Sequence, residues 1–293
     1  MTSSPGGTRG ASGSAQLPNF VYIGPSKAGS TWLHEVLITH PQIYMTQAKD
    51  LYFFDRYFDR GVDWYAGHFR GARPEHLVVG EVCQEYLSSP EAPARIADVL
   101  GSDVRLMVTL REPVSRAFSG YLYMRKHNVF SGTFREALET RPGMFLHSSY
   151  ATLLSRYLEY FDDEQIYYGL FDDLVESPQT FIDGALDWLK VDPLVLDDAS
   201  LAAQLPASRA RSKLLAAGVK RAANWAREHS SAELIGYVKR SRVVQRLLYT
   251  PLDEKPSVSE EDAAYMRSRL LPEIVRLEDM VGIDLRRRWQ WPT

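Results

Sequence analysis

The sequence has a single cysteine, Cys83, among 293 residues. One thiol forms no internal disulfide and supplies no cysteine-rich zinc site. Cys83 is therefore expected to be a small buried apolar residue. No apolar run reaches the ~18–20 residues that a membrane-spanning helix needs. A surplus of positive charge is missing too: Lys and Arg total 34 against 37 Asp and Glu, for a net charge of −3. A chain that holds nucleic acid by its phosphates is normally far more basic, so no nucleic-acid partner is expected, although local basic pockets are still allowed. His34, His40, His68, His76, His147 and His229 lack the spacing of a metal site, and no metal is expected. The opening stretch is rich in Gly, Ser and Thr and has no hydrophobic segment. Residues 1–17 are predicted to be a disordered tail without a secretory leader, on an intracellular, cytoplasmic protein. What is present, 45% hydrophobic and 24% charged residues, is the balance of a folded globular chain.

Strand-like and helix-like patterns alternate along the first two thirds. Phe20-Val21-Tyr22-Ile23 is a short apolar run stopped by Gly24-Pro25, and Ser30 to Thr39 then carries Trp32, Leu33, Val36 and Leu37 on one helical face. Leu77-Val78-Val79 is a second buried run, closed by Gly80-Glu81, and Val104 to Leu110 is a third. Pro113 suits the first turn of a helix reaching about His127. Ile166 to Leu170 reads as a strand and Pro178 to Leu189 as a helix. A charged helical pattern runs from Ala210 to about Arg242; Pro251 to Pro256 is a break, and Ser259 can cap a last helix ending at Val281. The prediction is one α/β domain over 18–293, a central parallel sheet flanked by helices.

Gly24-Pro25-Ser26-Lys27-Ala28-Gly29-Ser30-Thr31 lies where the first strand ends and a helix begins. Free N–H groups and the helix dipole favour an oxyanion there. The glycines let the backbone curl around it, Ser30 and Thr31 add hydroxyls, and Lys27 adds a mobile charge. A Walker A loop would place its lysine after the second glycine. Here Lys27 precedes Gly29, and the third strand ends in Arg111 rather than a carboxylate for magnesium. Both features argue against ATP-Mg²⁺ chemistry.

Gly24 to Leu33 resembles the 5′-phosphosulfate loop of the sulfotransferases that use 3′-phosphoadenosine-5′-phosphosulfate (PAPS), a P-loop-like element. Val108-Thr-Leu-Arg111-Glu-Pro113-Val-Ser-Arg116-Ala-Phe-Ser119-Gly-Tyr121 is similar to their 3′-phosphate motif. Lys49-Asp50-Leu51-Tyr52-Phe53-Phe54-Asp55, Gly61-Val62-Asp63-Trp64-Tyr65 and Gly80-Glu81-Val82-Cys83-Gln84-Glu85-Tyr86 resemble segments of the branch holding the heparan sulfate sulfotransferases and related bacterial enzymes. Asp50 stands where that branch usually has Glu. The disulfide those enzymes carry near the nucleotide cannot form with one cysteine, and Pro206 to Ser212 is the segment expected in its place. The resemblance implies a donor site of Lys27, Ala28, Gly29, Ser30, Thr31, Trp32, Arg111 and Ser119, with Ser208, Arg209, Arg211 and Ser212 completing it. It also implies Lys27, Glu81 and His127 as catalytic residues and Lys49, Phe53, Trp64 and Glu85 on the acceptor side, with Glu85 the alternative to Glu81 as base.

The implied reaction is sulfuryl transfer from PAPS to an acceptor hydroxyl, with an amine as second choice, releasing the desulfated nucleotide PAP and requiring no metal. A P-loop nucleotide kinase and a non-catalytic nucleotide-binding protein are the rival readings. Residues 49–69 are dense in aromatics, and their basic residues are matched by Asp50, Asp55, Asp59 and Asp63. A partly apolar cleft for a small or amphipathic hydroxylated metabolite is therefore expected, rather than a groove for a polyanion. The oligomeric state is left open.

Overall fold

The computed structural model describes residues 16–202, 208–210, 249–251 and 256–291. All but the last two residues of the expected tail, together with Arg211, Ser212 and most of the stretch expected to be helical, lie outside the described residues.

Five strands, β1 (Phe20–Gly24), β2 (Ile43–Met45), β3 (Val78–Val82), β4 (Arg105–Leu110) and β5 (Ile166–Leu170), form one parallel sheet in the order β2-β3-β1-β4-β5. Two short strands, β6 (Ser208–Ala210) and β7 (Tyr249–Pro251), pair antiparallel to each other. Among the described residues the α-helices are α1 (Ser30–Leu37), α2 (Val62–Ala66), α3 (Ala92–Leu100), α4 (Pro113–Lys126), α5 (Phe134–Thr140), α6 (Gly143–Leu146), α7 (Tyr150–Ser155), α8 (Phe171–Glu176), α9 (Pro178–Leu189), α10 (Asp198–Ala202), α11 (Glu260–Val281) and α12 (Leu285–Arg288).

The central strands are continuous apolar runs because helices cover both faces of the sheet. β1 is buried at every position. Phe20 and Tyr22 join Val78, Val82 and Met107 in a core under α1 and α9, while Val21 and Ile23 join Val79, Cys83, Leu106 and Val108 in a larger core on the opposite face. Cys83 is fully buried there, as its solitary status suggests. The sheet order reverses at β1, so the carboxyl ends of β3, β1 and β4 open into one crevice, the usual ligand position in such sheets.

Local signals hold at most boundaries: Pro113 starts α4, and Ser259 caps α11 by accepting from the N–H of Asp262. Three expectations are corrected. β3 runs on through Gly80 and Glu81 to Val82, because pairing with β1 continues there and keeps Glu81 inside the strand. Ala210 closes a strand rather than opening a helix, and Pro251 ends its partner strand. That pairing joins segments far apart in sequence, which local periodicity does not register. The short edge strand β2 likewise has no clear signal in the pattern.

The C-terminal segment braces the crevice. Glu112 caps α4, accepting from the N–H groups of Val114 and Ser115 at 3.2 and 2.6 Å, and the Trp291 indole donates to the same carboxylate at 2.9 Å. The Trp289 indole donates to Asp172 at 2.9 Å, and Arg288 pairs with Asp173 and Glu176 on α8. Trp291 is buried in the larger core, so Trp291→Ala is expected to cost about 3–5 kcal/mol. A chemical denaturation midpoint unchanged by this substitution would show that the brace contributes nothing.

Candidate active site

The loop between β1 and α1 is shaped for an anion. Gly24 has φ +132°, and a Cβ there would lie 2.7 Å from the Gln84 carbonyl, so the loop packs directly on the segment leaving β3. Gly29, at φ +89°, precedes α1 and offers no side-chain cap. The N–H groups of the first turn and the positive end of the dipole are left for a ligand. Ala28 is buried and contributes backbone only. Ser30 accepts a hydrogen bond from the Lys49 ammonium at 3.1 Å, and Thr31 is half-buried beside it. The Trp32 side chain belongs to the core: its indole donates to the Ser200 carbonyl at 2.9 Å and its ring meets Phe181 edge-on, so only its main chain can serve a ligand.

Cations gather around this loop. Arg111, just past the end of β4, donates to the Lys27 carbonyl at 2.6 Å and to Ser115 Oγ at 2.9 Å, and its guanidinium lies 4.3 Å from the Phe171 ring centre. Lys27 itself has a left-handed φ of 70°, and its ammonium sits 4.2 Å over the Tyr123 ring. Burial, reinforced by the charges of Lys49, Lys126, Arg111 and Arg116, pushes the Lys27 amine down to about 8. Arg116 is 2% exposed and donates to Ser148 Oγ at 2.7 Å and the Met144 carbonyl at 2.9 Å, both neutral. Lys49 pairs with Asp50 at 3.3 Å. Positive charge is thus concentrated beyond what the neighbouring carboxylates match, which suits a multiply charged phosphate ligand.

Helix α4 reaches the same place through Ser115, which accepts from Arg111, and Tyr123, whose ring lies under the Lys27 ammonium. Arg111, Ser115, Ser119, Tyr123 and His127 recur at intervals of four, so each is the neighbour of the next, while the row winds by about 40° per step around the helix. Ser119 is half-buried one turn beyond Ser115, and the His127 ring lies 4.3 Å from Tyr123. Motif reading isolates Arg111, Ser119 and His127; the spacing alone would have added Ser115 and Tyr123. The motif does not single out Arg116 or Lys126, whose part in the site comes from tertiary packing.

The acidic half lies at the end of β3. Glu81 is fully buried; its Oε1 accepts from the Tyr65 hydroxyl at 2.6 Å and the Tyr86 hydroxyl at 3.1 Å, while Oε2 is buried with no partner. Burial pushes this carboxyl up to about 8, against the pull of the two phenol hydrogen bonds and with further upward push from Asp50 and Asp55. Glu85, its side chain 24% exposed, is 3.9 Å from the Arg56 guanidinium and is also raised, chiefly by burial. Of the two carboxylates, Glu85 is the one open to solvent.

Of the two aromatics expected on the acceptor side, Phe53 belongs to the core and Trp64 keeps some exposed surface. Phe53, Phe54, Tyr65 and Phe69 have no exposed surface. Phe53 stacks on Tyr65 at 4.4 Å, so these rings build the core that encloses Glu81 rather than an open cleft. Trp64 is half-buried, between Tyr57, Phe53 and His68. Ser208 and Arg209 fall on β6, and Arg211 and Ser212 lie outside the described residues. Among the described residues there is no cluster of three or more His, Cys, Asp or Glu able to hold a metal, and no helix is long and apolar enough to cross a membrane.

Residues 17–203 match the family model described as "Sulfotransferase domain". The chain is 36% identical over 107 residues to the membrane-associated sulfotransferase kil1 of Dictyostelium discoideum, covering 36% of this chain and 22% of that protein. It is 30% identical over 198 residues to heparan sulfate glucosamine 3-O-sulfotransferase 3B1 of Homo sapiens, covering 64% of this chain and 49% of that protein. It therefore spans half or less of the length of these relatives. A sulfotransferase from Alicyclobacillus acidocaldarius has a similar structure, with a TM-score of 0.66 at 23% identity, covering 94% of this chain and 99% of the other. That likeness speaks to the fold.

The crowding of cations carries its own test. In a ¹⁵N NMR titration of lysine ammonium groups, Lys27 is expected to lose its proton near pH 8. Bound PAP should move that midpoint upward, because an anion favours the charged amine. A midpoint at the ordinary lysine value of about 10.4 in the free protein would contradict the site's electrostatics.

Proposed function

The chain belongs to the sulfotransferase domain family, and from that premise we propose that it transfers the sulfuryl group of PAPS to the hydroxyl of a small or amphipathic acceptor, with an amine as second choice. The observation that carries this reading is the uncapped start of α1, set beside a desolvated Lys27 and the surrounding cations. PAPS, when bound, supplies an activated sulfuryl group on a good leaving nucleotide. The amides of residues 28–32 and the hydroxyls of Ser30 and Thr31 would hold the 5′ phosphosulfate. Arg111 and Ser119 would select the 3′-phosphate, and Lys27 would face the charge that grows on the leaving oxygen. Glu81 would receive the acceptor proton at its unpartnered oxygen, with Tyr123, His127 and Glu85 towards the acceptor. Ser208, Arg209, Arg211 and Ser212 are kept as the segment that completes the donor site.

Family membership disfavours the kinase alternative. With the aromatic rings assigned to the core, the small-acceptor reading rests on charge pairing: Lys49 with Asp50 and Arg56 with Asp55 leave no continuous basic track along that segment. Glu85 is the second reading for the base, because an acceptor reaches Glu81 only after the side chains over it part, whereas Glu85 is already partly exposed.

The experiment is incubation with PAPS and a panel of hydroxylated metabolites, read by accurate mass, with a heparan-type chain as a separate arm. Sulfated small products are expected. Efficient sulfation of the polyanion, with binding that falls steeply in salt, would overturn the acceptor class, and no conversion of PAPS to PAP with any acceptor would overturn the reaction. Ser119→Ala is expected to weaken PAP about ten- to a hundred-fold and to leave adenosine 5′-phosphosulfate, which lacks the 3′-phosphate, nearly unaffected. Arg111→Ala should weaken both ligands, PAP more, because Arg111 also holds the Lys27 carbonyl. Lys27→Ala should cut kcat by about 10²–10³. Glu81→Gln should lower kcat with PAP affinity intact; if Glu85→Gln abolishes turnover and Glu81→Gln does not, Glu85 is the base.

A further inference from the structure

Glu81 is enclosed in a way that a generic base does not require. We propose that Tyr65 and Tyr86 are positioning residues that fix their phenolic protons on Oε1 of Glu81, so that the acceptor proton is received at Oε2 alone. The inference rests on the reading of Glu81 as the base, and it assigns the step to one atom of that carboxylate.

The direction of each hydrogen bond follows from donor counting. The Tyr86 oxygen accepts from the Phe53 N–H at 2.9 Å, so its single proton is left for Glu81 Oε1, 3.1 Å away. Tyr65 donates to the same oxygen at 2.6 Å. Two donors fill both lone-pair positions of Oε1. A proton arriving on this carboxylate has only Oε2, which is buried and has no partner. Both phenols have pKa values raised well above 10, so neither gives up its own proton in the working range.

The rings are held rigidly enough for this. Phe53 stacks on Tyr65 with an interplanar angle of 9°, and Phe54 meets Tyr65 and Tyr86 edge-on at 5.1 and 5.4 Å. The titratable groups that act on Glu81 are its hydrogen-bond partners Tyr65 from α2 and Tyr86 from the turn after β3, the charges of Asp50 and Asp55 from the segment after β2, and the Cys83 thiol from the strand exit. The two aspartates raise the Glu81 carboxyl, and the two phenols lower it. In the transfer, the acceptor O–H breaks and its proton goes to Oε2. The new acceptor O–S bond forms as the S–O bond to the nucleotide breaks, and the electron pair leaves with PAP.

Tyr65→Phe and Tyr86→Phe keep the rings and remove one donor each. Kd for PAP, the pH dependence of kcat and KM, and an infrared difference titration of the Glu81 carboxyl (protein minus its Glu81→Gln variant) are measured on the full chain. PAP affinity and KM should stay within about twofold. The acid limb of kcat should move up by about one unit, giving roughly tenfold lower kcat at pH 7 that recovers above the new midpoint. The infrared midpoint should move with it. A uniform loss of kcat at every pH with an unmoved limb, or an infrared midpoint that stays or falls, would overturn the proposal. The infrared arm needs no acceptor, so failure of PAP binding or turnover in the unmodified protein counts against the sulfotransfer reading and leaves the carboxyl result to judge the phenols. If one variant does not fold, the other carries the same test.

Discussion

Positive charge packed where water has been excluded is the constraint on which the rest of this structure depends. Two like charges 4 Å apart repel by about 4 kcal/mol at the effective dielectric of a protein surface, and more where the site is drier. Lys27, Lys49, Lys126, Arg111 and Arg116 lie close enough to depress the Lys27 amine, and burial does more still. An arrangement of this kind persists only if the fold holds it by other means. Arg111 is tied to the Lys27 carbonyl and Ser115, Arg116 to Ser148 and Met144, and the start of α4 to Trp291 through Glu112. An anion entering the crevice would relieve the resulting field, which is what the proposed donor site requires.

The basic and acidic halves are joined by one short chain of contacts. Asp50 accepts from the Gln84 N–H at 3.3 Å, just beyond Glu81 on the strand exit, and pairs with Lys49, which in turn reaches Ser30 at the start of α1. Gly24 closes the same seam from the other side by packing on the Gln84 carbonyl. Within this frame a cation basin adjoins an enclosed carboxyl across neighbouring strands, with Val21 registered against Glu81. Sulfuryl transfer asks for both: charge stabilisation on the donor side and a proton acceptor on the other.

Much of this architecture is legible in the amino-acid sequence. The run Phe20 to Ile23, the glycines at 24 and 29, and Arg111 after the third apolar run mark the sheet and its anion loop by local chemistry alone. The Gly80-Glu81 pair also stands out, although the apolar pattern ends that strand too soon. What stays hidden depends on contacts between distant segments. Phe53 and Trp64 read as a possible cleft wall because aromatic composition does not say which face is covered, and packing against Phe54 and Tyr65 makes Phe53 core. Arg116 reads as an ordinary helix cation until Ser148 and Met144 close over it. The pairing of 208–210 with 249–251 has no local signature at all. The recurrence of Arg111, Ser115, Ser119, Tyr123 and His127 every fourth residue is present in the sequence, and it adds to the motif residues Ser115 and Tyr123, which contact Arg111 and Lys27.

The most direct measurement is calorimetry of PAP binding in EDTA, set beside ATP with magnesium. PAP should bind without any divalent metal and take up protons when titrated just above pH 8, where free Lys27 has lost more than half its charge. ATP with magnesium should bind far more weakly. Absence of PAP binding in EDTA, or preference for ATP with magnesium, would contradict the assignment of this crevice to a 3′-phosphorylated sulfuryl donor.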